Sequence, residues 1–253
     1  MRSLRAPQYA SWRPDFSASA SLDRTRLTAG AQLLCTPRYM RISFTPQHST
    51  LSSAVLNGGF VTTDNLVNMR VDSTVDSRQP PDESIACFAR GLGCVDNTVG
   101  MMTAASMKSL RAVVVGSGAD ELCAVVTSGL ENARRAGDVA DVEPDEYLSQ
   151  HPRPPDGTIN LCVVLGFAVP LATLVEIVTV AVEAKAAALQ DLGVISPVSG
   201  RTATGTGTDA IAVASPAVSS GLVYAGKHTQ LGERIARVVI ESITDSVGSW
   251  GGT

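Results

Sequence analysis

Residues 158–175 read TINLCVVLGFAVPLATLV, eighteen consecutive positions without a charge. A run of this length resembles a membrane span, but Gly166 and Pro170 interrupt it and Glu176 follows at once. The apolar pattern also changes there, from strand-like to helical. The stretch therefore reads as a buried central strand over Thr158–Leu165, a turn, and a helix from Pro170 to Leu192. Pro170 suits the first helical turn and Gly193 the stop. Within that helix the apolar positions 171, 174, 175, 178, 182 and 189 share one stripe.

Working outward, residues 27–63 read as short strands between turns: LTAGAQLLC, YMRISF and LSSAVLNGGF. Asn57-Gly58-Gly59 marks a tight turn, because glycine tolerates positive φ. Residues 71–83, with Pro80-Pro81, read as a loop, and Glu83–Arg90 as a short helix. Strands are expected at Thr98–Ala105, Arg111–Gly116, Leu122–Thr127 and Asp209–Ser215. The acidic, Pro-rich segment 136–157 reads as a surface loop. A last helix runs from about Thr229 to Val247, burying Leu231, Ile235, Val238, Val239 and Ile243. Early strands and late long helices predict an α+β fold: one domain over 27–253, a mixed β-sheet covered by helices. Residues 1–26, Arg-rich with no apolar run, read as a disordered basic tail and not as a secretory signal.

Composition narrows the function. Of 253 residues, 44% are hydrophobic and only 17% charged, so disorder over most of the chain is excluded. A net charge of −4 with no Lys/Arg-rich run argues against a nucleic-acid partner. The chain is expected to be soluble and cytoplasmic, with no membrane partner, and is compatible with a homo-oligomer. The five cysteines (35, 87, 94, 123, 162) include no CxxC pair and no His at ligand spacing. They read as small buried hydrophobes in a reducing compartment, with no metal site. Lys108, Lys185 and Lys227 are the only lysines in an Arg-dominated chain. Lysine survives such a bias best where a compact ammonium and a planar fork are not interchangeable.

Two glycine motifs imitate dinucleotide fingerprints: Val113–Glu121 (VVVGSGADE), and Gly205–Ala210 (GTGTDA). A strand follows each where the fingerprint needs a helix, so neither supports a Rossmann site. The richer constellation lies in the last fifty residues. Thr204–Asp209 offers glycines, hydroxyls and a carboxylate just before a strand. Tyr224-Ala-Gly-Lys227-His228-Thr229 enters a helix, with Thr229 as N-cap. Unpaired N–H donors and the dipole at that helix start disfavour an imidazolium, leaving His228 available as a base. Ser106, followed by Lys108, is a second hydroxyl candidate.

Seven stretches, in order, resemble the CbiZ-type adenosylcobinamide amidohydrolases: SSAVLNGG (52–59), GMMTAASM (100–107), NARRAGD (132–138), GTIN (157–160), EAKAAAL (183–189), ATGTGTDA (203–210) and YAGKHTQLGE (224–233). The resemblance spans about residues 50–240. It implies hydrolysis of the amide that joins a propionyl side chain of the corrin ring to aminopropanol. Adenosylcobinamide would yield adenosylcobyric acid, for salvage into coenzyme B12. The substrate itself carries the cobalt, so no other cofactor is expected. The alternatives are a non-catalytic corrinoid binder, disfavoured because His228 lacks the D-x-H-x-x-G pattern, and an amidase acting on another small amide.

Amide hydrolysis needs an activated oxygen, an oxyanion stabiliser and a proton for the leaving amine. From the residues, His228 is the expected base or acid, oriented or charge-balanced by Asp209. Lys227, the amides of Gly205 and Gly207, or the N–H groups at the helix start would hold the oxyanion. Glu183 is the second choice as a water-activating carboxylate. Asn57, Gly58, Gly59, Ser106, Thr158, Asn160, Thr206 and Thr208 are the remaining expected substrate contacts. A metal route through Asp138, Asp209, Glu183 and His228 has no supporting spacing. A wide cleft walled by Val, Leu, Met (Met101, Met102, Met107) and Ala would suit the broad corrin disc.

Overall fold

The computed structural model describes residues 9–16, 23–71, 79–94, 97–141, 157–219, 221 and 223–248. Segments 72–78 and 142–156, the hearts of the two expected loops, lie outside the described residues, as do 1–8 and 17–22 of the expected tail. The charge-free stretch folds as read. Ile159–Leu165 is a wholly buried strand (β10) and Leu171–Asp191 a helix (α2) that begins after Pro170.

The remaining strands are β1 (Tyr9–Trp12), β2 (Asp23–Thr28), β3 (Ala31–Cys35), β4 (Tyr39–Ser52), β5 (Gly59–Arg70), β6 (Thr98–Thr103), β7 (Arg111–Val115), β8 (Leu122–Ser128), β9 (Ala133–Arg134), β11 (Gly205–Thr206) and β12 (Ala210–Ser215). Helix α1 spans Pro81–Gly91 and α3 spans Gln230–Gly248. Ten strands form one mixed sheet in the order β1-β7-β8-β10-β12-β4-β3-β2, with β5 pairing both β4 and β6. The β10/β12 and β5/β6 pairs are parallel and the others antiparallel. This is the expected α+β fold with a mixed sheet.

Two readings of the N-terminal third change. Residues 9–12 and 23–26, expected within a disordered tail, pair as strands with β7 and β3. Residues 39–52, expected as two strands around a Pro-containing turn, are one long strand. A register shift between Ser43 and His48 takes up the irregularity at Pro46 without ending the pairing to β5. The strand is shared: its first half pairs with β3, its second with β12, and β5 runs along both.

Alternation along the strands builds two cores. One face of β7, β8, β10 and β12 packs Val113, Val126, Leu161 and Val213 against Leu174, Ile177 and Ala181 of α2 and Ile235, Val238 and Val239 of α3. The other face curls back on itself and encloses Leu33, Ile42, Leu66, Met101, Cys123, Cys162 and Ala212. Cys35, Cys94, Cys123 and Cys162 are buried as expected, and burial raises the thiol of Cys123 to about 12. Cys87 differs, lying exposed on α1. Among the described residues, no helix is long and apolar enough to cross a membrane.

His48 lies in the curled region, fully buried and stacked on Phe44 with ring centroids 4.3 Å apart. Its Nδ1 sits 3.0 Å from the Pro46 carbonyl oxygen, and Nε2 has no partner among the described residues. Burial holds its pKa below the ordinary histidine value. As pH falls below about 6.5 the unfolded chain takes up this proton before the folded one does, so the stability present above that pH declines below it. His48→Phe keeps an aromatic ring on Phe44. Its urea midpoint should therefore fall less between about pH 7 and about pH 5 than that of the wild type; an equal fall would show that His48 does not set the acid sensitivity.

Candidate functional site

The Gly205–Asp209 loop begins in one strand of a small two-stranded sheet. β11 pairs antiparallel with β9, so NARRAGD (132–138) and ATGTGTDA (203–210) lie side by side. Both glycines are required by close approach. A Cβ on Gly205 would stand 2.3 Å from Asp209 Oδ2 and 2.8 Å from Lys185 Nζ, and one on Gly207 would stand 2.6 Å from Asn132 Nδ2. Asp138 clamps the same region from outside. It accepts from the Ser196 hydroxyl and, at 2.8 Å, from the Arg135 N–H. Hydrogen bonds from Ser196 and Ser199 hold its carboxyl at about 2, so the clamp stays ionised well into acid.

Asp209 is the centre of the loop. Oδ1 accepts the Ile159 N–H at 3.0 Å and the Thr206 hydroxyl. Oδ2 accepts the Thr206 N–H at 3.1 Å and the Lys185 ammonium. A carboxylate offers roughly four acceptor sites, so this one is saturated. Lys185 comes from α2, and both side chains are largely buried, at 12% and 15% exposure. Asp209 is thus not the partner of His228 that the sequence suggested. The pair lines a pocket of about 220 Å³ with Ser53, Ile159, Leu161, Val182, Ala210 and Ile211. Ser53 Oγ accepts the Ile211 N–H at 3.1 Å, which leaves its own proton free to donate. Among the described residues, Lys185 donates to Asp209 alone, so two of its three N–H donors remain.

The other expected catalytic residues sit on the far flank of α2. Lys227 pairs with Glu183 and both are well exposed, at 66% and 48%. Glu183 and Lys185 are two residues apart, which puts them about 200° apart around the helix axis. His228 is exposed beside this pair, in a turn held to α2 by the Glu176 carboxylate, which accepts the Ala225 N–H at 2.8 Å. Thr229 does cap α3, accepting the Gly232 N–H at 3.0 Å.

Of the expected substrate contacts, Gly205 and Thr206 adjoin the Lys185–Asp209 pair. Thr158 and Thr208 hold each other, with Thr158 Oγ1 donating to the Thr208 carbonyl at 2.8 Å. Asn160 is fully buried on the inner side of the sheet. Its amide donates to Asn68 Oδ1 and to the Met102 carbonyl, each at 2.8 Å, and Asn68 donates to Thr127. It latches strands together through its N–H groups, while its Oδ1 has no partner among the described residues. Met101 and Met107 are likewise core. Asn57, at φ 52°, turns the chain with Gly58 and Gly59 and donates to the Thr98 carbonyl. Ser106 caps a single 3-10 turn over 107–109 by accepting the Lys108 N–H.

Sequence reasoning missed Lys185 and Ser53 as members of one pocket. The available signals were the rarity of lysine and the presence of both residues in the matched stretches. Carboxylates that might have gathered a metal are engaged separately: Asp138 with Ser196, Glu183 with Lys227, and Asp209 with Lys185.

Adding a methyl group tests the geometry directly. Gly205→Ala should displace one member of the buried pair and lower the unfolding free energy by about 2–4 kcal/mol, since a separated buried ion pair leaves an uncompensated charge. Gly91→Ala, whose Cβ would meet nothing within 4 Å, is the control and should be near neutral. Urea denaturation of both variants measures the difference. Equal stabilities would mean that the loop tolerates the extra carbon.

Comparison with known proteins agrees with the ordered stretches. The chain shares 33% identity over 97 residues with an uncharacterized protein of Methanocaldococcus jannaschii, a match covering 38% of each chain. The family model described as CbiZ, adenosylcobinamide amidohydrolase, matches residues 24–253. With nearly its whole length inside that match, the chain belongs to the CbiZ adenosylcobinamide amidohydrolase family.

Proposed function

We propose that this protein hydrolyses the amide linking the corrin propionyl side chain of adenosylcobinamide to aminopropanol, and that the reaction is centred on Lys185. The observation that carries the reading is a largely buried lysine whose ammonium is fixed by a saturated carboxylate, with two donors that have no other partner among the described residues, in the lining of a pocket it shares with the Ser53 hydroxyl.

The division of labour follows from the hydrogen bonds. Asp209, with every acceptor site taken, is a positioning residue and does not take a proton from water. Lys185 donates to the carbonyl oxygen and stabilises the negative charge that develops there in the tetrahedral intermediate, a preorganised donor in a site with little water. Ser53 orients the attacking water, and as that oxygen adds to the acyl carbon the proton it sheds passes to Lys185 in exchange for the one Lys185 gives to the leaving amine. Water is consumed, with OH ending on the acyl carbon and H on the amine nitrogen. The cobalt travels with the substrate and takes no part in these steps. All five thiols are free, which suits the reducing cytoplasm.

The test is incubation with adenosylcobinamide, followed by chromatography and mass spectrometry for the corrinoid acid and free aminopropanol. Lys185→Met should lower kcat by about 100-fold or more, the usual cost of an oxyanion donor. Asp209→Asn should lose a comparable amount by releasing Lys185, and Ser53→Ala should be impaired in kcat with KM little changed. Binding without turnover in the wild type would favour a corrinoid carrier. Loss of activity in His228→Ala with Lys185→Met unimpaired would move the centre to the Glu183–Lys227 flank.

A further inference from the structure

Helix α2 carries more apolar surface than its packing uses. Its buried face is Leu174, Ile177, Ala181, Ala184 and Ala188. A second apolar row, Leu171, Val175, Val178 and Val182, lies beside that face, with Leu171, Val175 and Val182 exposed at 43%, 52% and 42%. At 1.5 Å per residue the row runs about 16 Å along the helix. It ends at Lys185, one turn beyond Val182.

The sheet has a matching uncovered area. Phe60 on β5 stands directly opposite Leu51 on β4, which stands opposite Val213 on β12. Val213 belongs to the helix-side core and Leu51 packs on it, so Phe60 faces the same side. Helices α2 and α3 pack over β7, β8 and β12, α1 packs on β6 and β5, and Phe60 is left 45% exposed. Ile211, half-buried, joins this area to the Lys185 pocket, which Val182 lines from the helix side.

We infer that Phe60 and the Val175–Val182 row form the two walls of an open apolar trough that takes the flat face of the macrocycle, presenting one edge amide to Lys185. The inference rests on the proposed reaction for the identity of its occupant. It is carried by the continuity of the trough with the Lys185–Asp209 pocket and by the match of chemistry. A pocket of about 220 Å³ receives a side-chain amide but not a tetrapyrrole-sized disc, so most of such a substrate must lie outside it. Exposed apolar side chains on two facing elements are the surface that a disc with an apolar face and polar fringes would cover. The trough therefore sets specificity by size, holding a large planar substrate and giving little grip to a short amide.

Equilibrium dialysis of the full chain with adenosylcobinamide, followed by corrin absorbance, reads binding apart from turnover. Phe60→Ser with Val182→Asn should weaken binding by about tenfold or more, from the apolar contact removed, and should raise KM with little change in kcat. Both positions are exposed, and thermal unfolding checks that the fold is kept. The same weakening should appear on a Lys185→Met background, where no product forms. Wild-type protein that binds the corrinoid without hydrolysing it, and loses binding in the double variant, would sink the reaction and support the trough. Unchanged binding in the double variant would overturn the trough even if hydrolysis is confirmed. Wild-type protein that fails to bind the corrinoid would overturn both.

Discussion

Four donors converge on the Asp209 carboxylate from three parts of the architecture. The Ile159 N–H opens the central strand, the Thr206 N–H and hydroxyl belong to the glycine loop, and the Lys185 ammonium comes from the helix above the sheet. A buried carboxylate without such partners would be strongly disfavoured, and so would a buried ammonium. Each group is tolerable only because the other is held in place. This mutual requirement fixes the azimuth of α2 over β12, and it explains why a glycine is needed at 205, where even one methyl group would collide with the pair.

From that anchor the rest of the site follows by geometry. Once Lys185 points at the sheet, Glu183 must point away from it, and the loop carrying Lys227 and His228 is drawn to the opposite flank. The helix thus sorts two ion pairs, Lys185 with Asp209 and Glu183 with Lys227, onto different flanks. The inner pair is largely buried and lines a pocket with Ser53. The outer pair is wet, where an ion pair contributes little.

Much of this was legible in the sequence. The charge-free run at 158–175 gave the central strand and the helix that follows, because burial on both faces removes alternation and the change of period is abrupt. The glycine loop, the Asn57 turn and the Thr229 cap were all local and were read locally. The partner of Asp209 was not local. Choosing Lys185 over His228 depends on the rotation of a helix over a strand 24 residues away, and neither propensity nor spacing encodes that rotation. The stripe read on α2 was real in composition, but the structure divides it: Leu174 and Leu189 are buried, while Leu171, Val175 and Val182 are left in the open. The burial of Asn160 was not legible either, since it depends on the curl of the sheet that encloses this amide and ties it to Asn68 and Met102.

Strand β4 has one further effect. Because its two halves pair with different neighbours, it belongs at once to the curled core, where His48 is buried, and to the wall that leads to Ser53. No cut through the sheet separates a scaffold from a working part without dividing this strand. The curled core and the wall of the pocket are therefore two stretches of a single strand, so a substitution that shifts β4 in the core moves the backbone that carries Ser53.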